Sequence, residues 1–381
     1  MHKSDRAAGA ISGTLGTSGD ATTAAGSRKA CLLVVGVVCD HRGSAVVEEV
    51  AMSSVELEPV DRVEITVLVD NVTDPLLVDQ ESVVRMNWPR ALMSGLPVAA
   101  ARVSPDSGVP DALIAEPGFS ALVRIEKGGR QRTLLFDAGV SPNGMVENMR
   151  RLGISPGEIE VVVLSHGHWD HVTGMEGLVR VLGRTRLPVM IHPEFWNRRR
   201  VRFPGLDPAE LPSTSRSALE GMGFAIVEER QPSFLLDGSV LITGEIDRTT
   251  VFEIGMRGHE ALHDGAWRAD PLILDDQALV LSLCDRGLVI LSGCGHAGIV
   301  NTVRYARNLT GQMTVAAIVG GFHLSGPMFE PIIGPTADAL AELSPSLLVP
   351  AHCTGWRAVH QFAARFPEAF VMSTVGTTIT L

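Results

Sequence analysis

The stretch Val161 to Gly174, VVVLSHGHWDHVTG, decides the fold. Three β-branched apolar residues and a Leu read as a short buried strand, and Ser165 opens a loop in which His166, His168, Asp170 and His171 fall within six positions. That is a metal site in outline. His166 and His168 alternate across one residue, so extended backbone just past a strand end points both imidazoles the same way, while Asp170 and His171 follow on the turn and can face a second ion. Gly167 lets the chain bend between them with no Cβ in the way. Imidazole and carboxylate without thiolate suit zinc best, with manganese or iron(II) as alternatives. A polar loop rich in histidine by chance is the competing reading, and the placement directly after a buried strand outweighs it.

Upstream, Ser120 to Glu126 and Arg132 to Asp137 flank the turn cluster Lys127, Gly128, Gly129 and read as a hairpin. Asp61 to Asn71, DRVEITVLVDN, alternates apolar and polar and is expected to be the first strand, with the folded domain spanning 61–381. Leu76 to Pro110, broken by prolines, reads as a long loop over the active-site face. Helices are expected at Asn143 to Leu152, stopped by Gly153, and at MEGLVRVL after Gly174. PVMIH then delivers His192, and the arginine run in EFWNRRRVR, Glu194 to Arg202, reads as a solvated face, or as an anion site should it lie beside the metals.

Further strands are expected at Phe224 to Glu228, Val240 to Thr243, Gln277 to Leu283 and Leu288 to Ser292. Ile246 to Pro271 lacks periodicity and reads as a second loop, whose His259 and His263 are taken as a surface pair outside the ligand set. LVILSGCGHAG, Leu288 to Gly298, repeats the design of VVVLSHGHWDH: apolar strand, Leu-Ser, then a glycine-containing loop with a histidine. TVAAIV runs into GGFHLSG and His323, and LLVP into AHCTGW and His352. His323 reads equally as a ligand, a transition-state donor or a structural histidine.

Composition narrows the class. A formal charge of −11 argues against a general nucleic-acid or anionic-membrane surface. Five cysteines without CxxC spacing argue against a disulfide framework and for a reducing, cytoplasmic compartment. Residues 1–60 are expected to form a disordered or poorly ordered extension. Arg28, Lys29 and ACLLVVGVVC mimic a signal peptide, but the apolar run is too short for a bilayer and no clear cleavage site follows.

HGHWDH carries the HxHxDH signature and resembles the metallo-β-lactamase fold superfamily. Together with LITGEIDR, DDQALVL, LSGCGHAGIVNTV, GGFHL and PAHCTGW it resembles the 7,8-dihydropterin-6-yl-methyl-4-(β-D-ribofuranosyl)aminobenzene 5′-phosphate synthase-like family, over roughly Val63 to Leu381. The resemblance implies an α/β fold, a four-layer αββα sandwich with mixed sheets and one or two divalent ions at its edge. It implies one ion on His166, His168 and His296 and another on Asp170, His171 and His352, with Asp137 supporting the loop by hydrogen bonding. Cys294 falls where many superfamily members place a bridging Asp, and reads as a sulfur ligand or a buried inert thiol. Glu116-Pro117-Gly118 stands where the family commonly has Glu-His-Gly, and Trp169 replaces the usual Tyr.

The expected function is a metal-dependent enzyme acting on an anionic small molecule, a phosphate or diphosphate ester of pterin type, with Asp170 and His323 in catalytic roles. A general metallo-hydrolase of phosphodiesters or lactones and a non-catalytic metal-dependent scaffold are the competing readings. The expected partner is a small anionic substrate, with no nucleic acid or membrane, and a homodimer is a further expectation.

Overall fold

The computed structural model describes residues 32–39, 45–52, 54–93, 98–99, 109–183, 186–203 and 205–381. Alternation inside the strand Val161–Val163 sets the layers. Val161 and Val163 turn into a core shared with Leu279, Leu281, Val289, Leu291 and Val319. Val162 turns the other way, among Leu122, Leu135, Val189 and the helix residues Met145, Met149 and Leu178. One face of the strand therefore meets a second sheet and the other meets helices.

The first sheet runs Ala225–Glu228, Pro188–Ile191, Val161–Val163, Arg130–Phe136, Ser120–Lys127, Arg62–Val69, Thr378–Thr380, Val83–Val84. Its first four strands are mutually parallel and the rest pair antiparallel. The second runs Ser233–Leu235, Val240–Ile242, Ala278–Leu283, Gly287–Ser292, Val315–Gly321, Leu347–Ala351, antiparallel until the last two pairings, which are parallel. Helices Ile299–Thr310, Ile333–Leu343 and Trp356–Arg365 cover its outer face, where Val300, Val303, Leu340 and Phe362 pack on Ile290, Ile318 and Leu348. Each such buried side chain contributes about 1.5–3 kcal/mol. The result is the mixed-sheet αββα sandwich expected, and the loops leaving Val161–Val163, Gly287–Ser292, Val315–Gly321 and Leu347–Ala351 meet at one edge.

Several local expectations are corrected. Ile246 to Pro271 is not irregular throughout: His259–His263 and Ala266–Ala269 form a hairpin that extends through Arg199–Val201 to Ala209–Glu210 in a small separate sheet. Leu76 to Pro110 carries the edge strand Val83–Val84 and the helix Trp88–Met93. The C-terminal residues FVMS and TTITL, which read as strands closing the sheet, divide: Thr378–Thr380 joins the first sheet, whereas Phe370 makes a single bridge to Leu348. Ahead of Asp61, Leu57 and Val60 are buried in the core, and Leu32–Cys39 pairs antiparallel with Ala45–Met52. The leader through Lys29 lies outside the described residues. Among those described, no helix is long and apolar enough to cross a membrane.

Candidate metal centre

The loop after Val161–Val163 is held from below by one carboxylate. Asp137, at the end of the strand Arg130–Phe136, accepts the Ser165 backbone N–H at 2.7 Å on Oδ1. On Oδ2 it accepts the Ser165 hydroxyl at 2.7 Å and His171 Nδ1 at 2.6 Å. A second carboxylate, Asp275, accepts the Gly167 N–H at 2.8 Å and is itself paired with buried Arg199. A Cβ on Gly167 would fall 2.1 Å from the Phe195 carbonyl oxygen, so the loop fits only with glycine there.

This support fixes which nitrogen of each imidazole is bare. The Ser165 hydroxyl donates to Asp137 and must therefore accept from His166 Nδ1, 2.9 Å away, leaving His166 Nε2 with its lone pair. His259 Nδ1 donates to the Asp270 carbonyl at 2.9 Å, so its Nε2 accepts from His168 Nε2 at 3.3 Å. That leaves the lone pair of His168 on Nδ1. The two bare nitrogens, His166 Nε2 and His168 Nδ1, face each other at 2.9 Å, and His296 Nε2 stands 3.2 Å from His168 Nδ1. Facing lone pairs repel unless a cation sits among them. Tetrahedral zinc with bonds of about 2.0–2.1 Å separates its nitrogens by about 3.3–3.4 Å, close to this spacing. Burial, with the neighbouring histidines and Arg199 adding to it, holds His168 down to about 3 and His166 and His296 well below the ordinary imidazole range, so all three are neutral.

A second group lies beside the first. His171 gives its Nδ1 proton to Asp137, and its Nε2 is buried, without a partner, 3.9 Å from Asp170 Oδ2. His352 Nδ1 meets Asn71 Oδ1 at 3.2 Å, and its partnerless Nε2 stands 3.4 Å from Asp170 Oδ2. Burial opposes charge on His171, but Asp137 and Asp170 more than offset it and raise its pKa to about 9. Asp170 shows the converse: burial works against its charge, yet His171 and His352 hold its carboxyl well below the usual range. The pocket between Asp137 and Asp170 thus favours a positive charge, a proton or an ion.

All six expected ligands are therefore brought together, as His166, His168, His296 and as Asp170, His171, His352. Cys294 lies between the groups, its Sγ 3.2 Å from His323 Nδ1 and 3.1 Å from Cys353 Sγ. His323 packs against His296 in a tilted arrangement, with ring centroids 4.2 Å apart. Both His323 and His352 hold positive φ, 46° and 49°. Such backbone costs about 1–3 kcal/mol and persists where the surroundings over-determine it; for His352 those are Asp70 and Asn71, which bind its N–H at 2.9 Å and its carbonyl at 3.1 Å.

Sequence reasoning missed four supports. His259 is buried against His168 and is not a surface residue, and Asp70, Asn71 and Asp275 each anchor a ligand loop. The period-two pattern of HEALH, with His259 and Ala261 both buried, is the signal that would have found the first. His263 is half-buried. The arginine run is neither a wholly solvated face nor a free anion site. Arg199 is buried on Asp275, Arg200 and Arg202 pair with Glu260, and Arg198 pairs with Glu210. His192 is buried and caps the short turn Pro193–Trp196, its Nδ1 accepting from the Glu194 N–H.

Comparisons with known proteins place this arrangement. Residues 113–263 match the family model of the metallo-beta-lactamase superfamily. A 7,8-dihydropterin-6-methyl-4-(beta-D-ribofuranosyl)-aminobenzene-5′-phosphate synthase of Methanocaldococcus jannaschii is 30% identical over 260 residues, 67% of this chain and 87% of that protein. An uncharacterized protein of the same organism, MJ0448, is 28% identical over 270 residues, 70% of this chain and 93% of its own. The crystal structure of Tm1679, a metal-dependent hydrolase of the beta-lactamase superfamily, superposes with a TM-score of 0.59 at 24% identity, covering 84% of this chain and 98% of that one, and shares the fold. With the sandwich, the HxHxDH loop and a relative of this identity and coverage in agreement, the chain belongs to the metallo-β-lactamase superfamily and, within it, to the family of the dihydropterin-ribofuranosylaminobenzene phosphate synthase.

Proposed function

We propose that this protein is a dinuclear metal-dependent enzyme acting on a phosphate or diphosphate ester of a small, pterin-related molecule. One observation carries the reading: two adjacent donor groups, the first with His166 Nε2 and His168 Nδ1 turning their lone pairs on each other beside His296 Nε2, the second with His171 Nε2 and His352 Nε2 turned on Asp170. His166, His168 and His296 would hold one ion, and Asp170, His171 and His352 the other. Zinc suits these donors best, with manganese or iron(II) as alternatives. Divalent ions there would supply Lewis acidity to a phosphoryl oxygen and bring the pKa of a bound water toward about 7.

The chain's own part is to orient and to exclude. Asp137 and His259 lock the imidazole tautomers, and Asp170 keeps its charge because His171 and His352 flank it. His323 lines a cavity of about 360 Å³ that also borders His296 and is walled by Phe252, Met256, Phe329 and Arg257, where its ring can meet a substrate's departing group. A second cavity, of about 290 Å³, borders His352 and Trp356. Two cavities flanking one centre favour group transfer between two reactants, in keeping with a relative named a synthase. Hydrolysis, which needs water and one cavity, is the second reading.

The test supplies a dihydropterin diphosphate to metal-loaded protein, with and without an aminobenzene acceptor, and follows diphosphate. Acceptor-dependent release supports transfer. Release that ignores the acceptor supports hydrolysis, and bound metal with no release from any phosphoester overturns the enzymatic reading in favour of a ligand-binding scaffold.

A further inference from the structure

Two thiols, Cys294 and Cys353, lie against the donor groups without belonging to either set of three. Cys294 sits in the loop after the strand Gly287–Ser292 and Cys353 in the turn after Leu347–Ala351, with the strand Val315–Gly321 between those two in the sheet. A side chain at the end of the middle strand would keep the two sulfurs apart. Gly321 stands there instead: a Cβ on it would lie 2.9 Å from Cys353 Sγ and 3.1 Å from Cys294 Cα. Across that gap the sulfurs lie 3.1 Å apart, both cysteines are free thiols, and Cys353 Sγ also donates to the Cys294 carbonyl at 3.2 Å. A disulfide bond is about 2.05 Å long, so closure needs a shift of about 1 Å, within the reach of two loop side chains.

We infer that Cys294 and Cys353 form a reversible disulfide when the protein meets a peroxide, withdrawing the Cys294 sulfur from its place between the two donor groups. The chemistry balances with hydrogen peroxide as the oxidant. One thiol sulfur attacks a peroxide oxygen and the O–O bond breaks. The thiol proton leaves with the departing hydroxide as water, and a sulfenic acid remains. The second thiol attacks the sulfenic sulfur, the S–S bond forms and a second water leaves. Cys353 is partly exposed and Cys294 is buried, so Cys353 is the thiol that meets peroxide and Cys294 resolves it. Oxidation would thus be read at the centre itself, where the Cys294 sulfur lies within 4.8 Å of ligand nitrogens of both groups.

The experiment treats reduced, zinc-loaded full-length protein with one equivalent of hydrogen peroxide, alkylates it under denaturing conditions and maps its peptides. Two of the five thiols should become unreactive, the intact mass should fall by two hydrogens, and the peptides carrying Cys294 and Cys353 should appear joined until dithiothreitol is added. Cys353→Ser should abolish the joined peptide and Cys284→Ser should leave it unchanged. Both sulfurs still alkylated after peroxide, a cross-link to another cysteine, or passage to sulfinic acid with no joined peptide would each overturn the inference. The wild-type map alone decides between these outcomes, so a variant that fails to fold does not blunt the test.

Discussion

The two donor groups lie side by side and are built on opposite electrostatics. Burial leaves His166, His168 and His296 uncharged, and each ring's orientation is set by a neutral hydrogen bond or by packing. Around Asp170, His171 and His352 two carboxylates, Asp137 and Asp170, bracket one imidazole and hold a charge on it. The first group offers its lone pairs to an ion directly; at the second an ion must displace the proton on His171. Metal affinity at the two should therefore respond differently to the same perturbation.

The largest effect expected is ligand removal. His168→Ala takes one nitrogen from the first group and Asp170→Ala takes the carboxylate from the second, and each variant should lose at least one equivalent of bound metal by elemental analysis. Unchanged metal content in both would refute the site assignment. A pH series comes next. His171 has its folded pKa raised from 6.5 to about 9, so in stripped protein its charge contributes stability that is full below about pH 6.5 and lost as pH rises through about 9. The shift corresponds to about 3 kcal/mol, read by chemical denaturation at pH 6 and pH 10. For metal the sign reverses, because the ion competes with that proton. Affinity at the second group should climb about tenfold per pH unit between 6.5 and 9, while the first, already neutral, stays flat. Equal slopes at both groups would erase the contrast.

How much of this was legible in the chain follows from where each contact comes from. The strand, the HxHxDH loop and the pairing of His166 with His168 are local, so periodicity and spacing suffice. His296 could be placed because its strand end repeats the design of the first, and His352 because the family resemblance implies a histidine after a late strand. Their supports could not. Asp70 reaches His352 across 282 positions and His259 reaches His168 across 91, and no spacing rule connects residues that only the closed sandwich brings together. Arg199 misleads for the same reason: in a run of arginines it reads as solvated, yet alternation along Arg199–Val201 turns it inward onto Asp275, whose other partner is the Gly167 N–H.

The contrast can be sharpened from its supports. Asp137→Asn keeps the shape but removes the charge that holds the proton on His171. Affinity should fall about 10–100-fold, the usual cost of losing a carboxylate behind a histidine ligand. The pH slope of the second group should flatten with it. His259→Phe is the smaller and more selective change. His259 touches no atom of the second group, and its one service to the first is to accept from His168 Nε2, which keeps the His168 lone pair on Nδ1. Without that acceptor the imidazole can carry its proton on Nδ1, the nitrogen facing His166 and His296, and an ion must then bind the less favourable tautomer. A loss of about tenfold, the lower end for such a support, is expected at the first group with the second group's pH profile unmoved. Competition titrations that resolve the two equivalents check this: a loss shared equally between them would mean that His259 acts through general stability and not through the orientation of one ring.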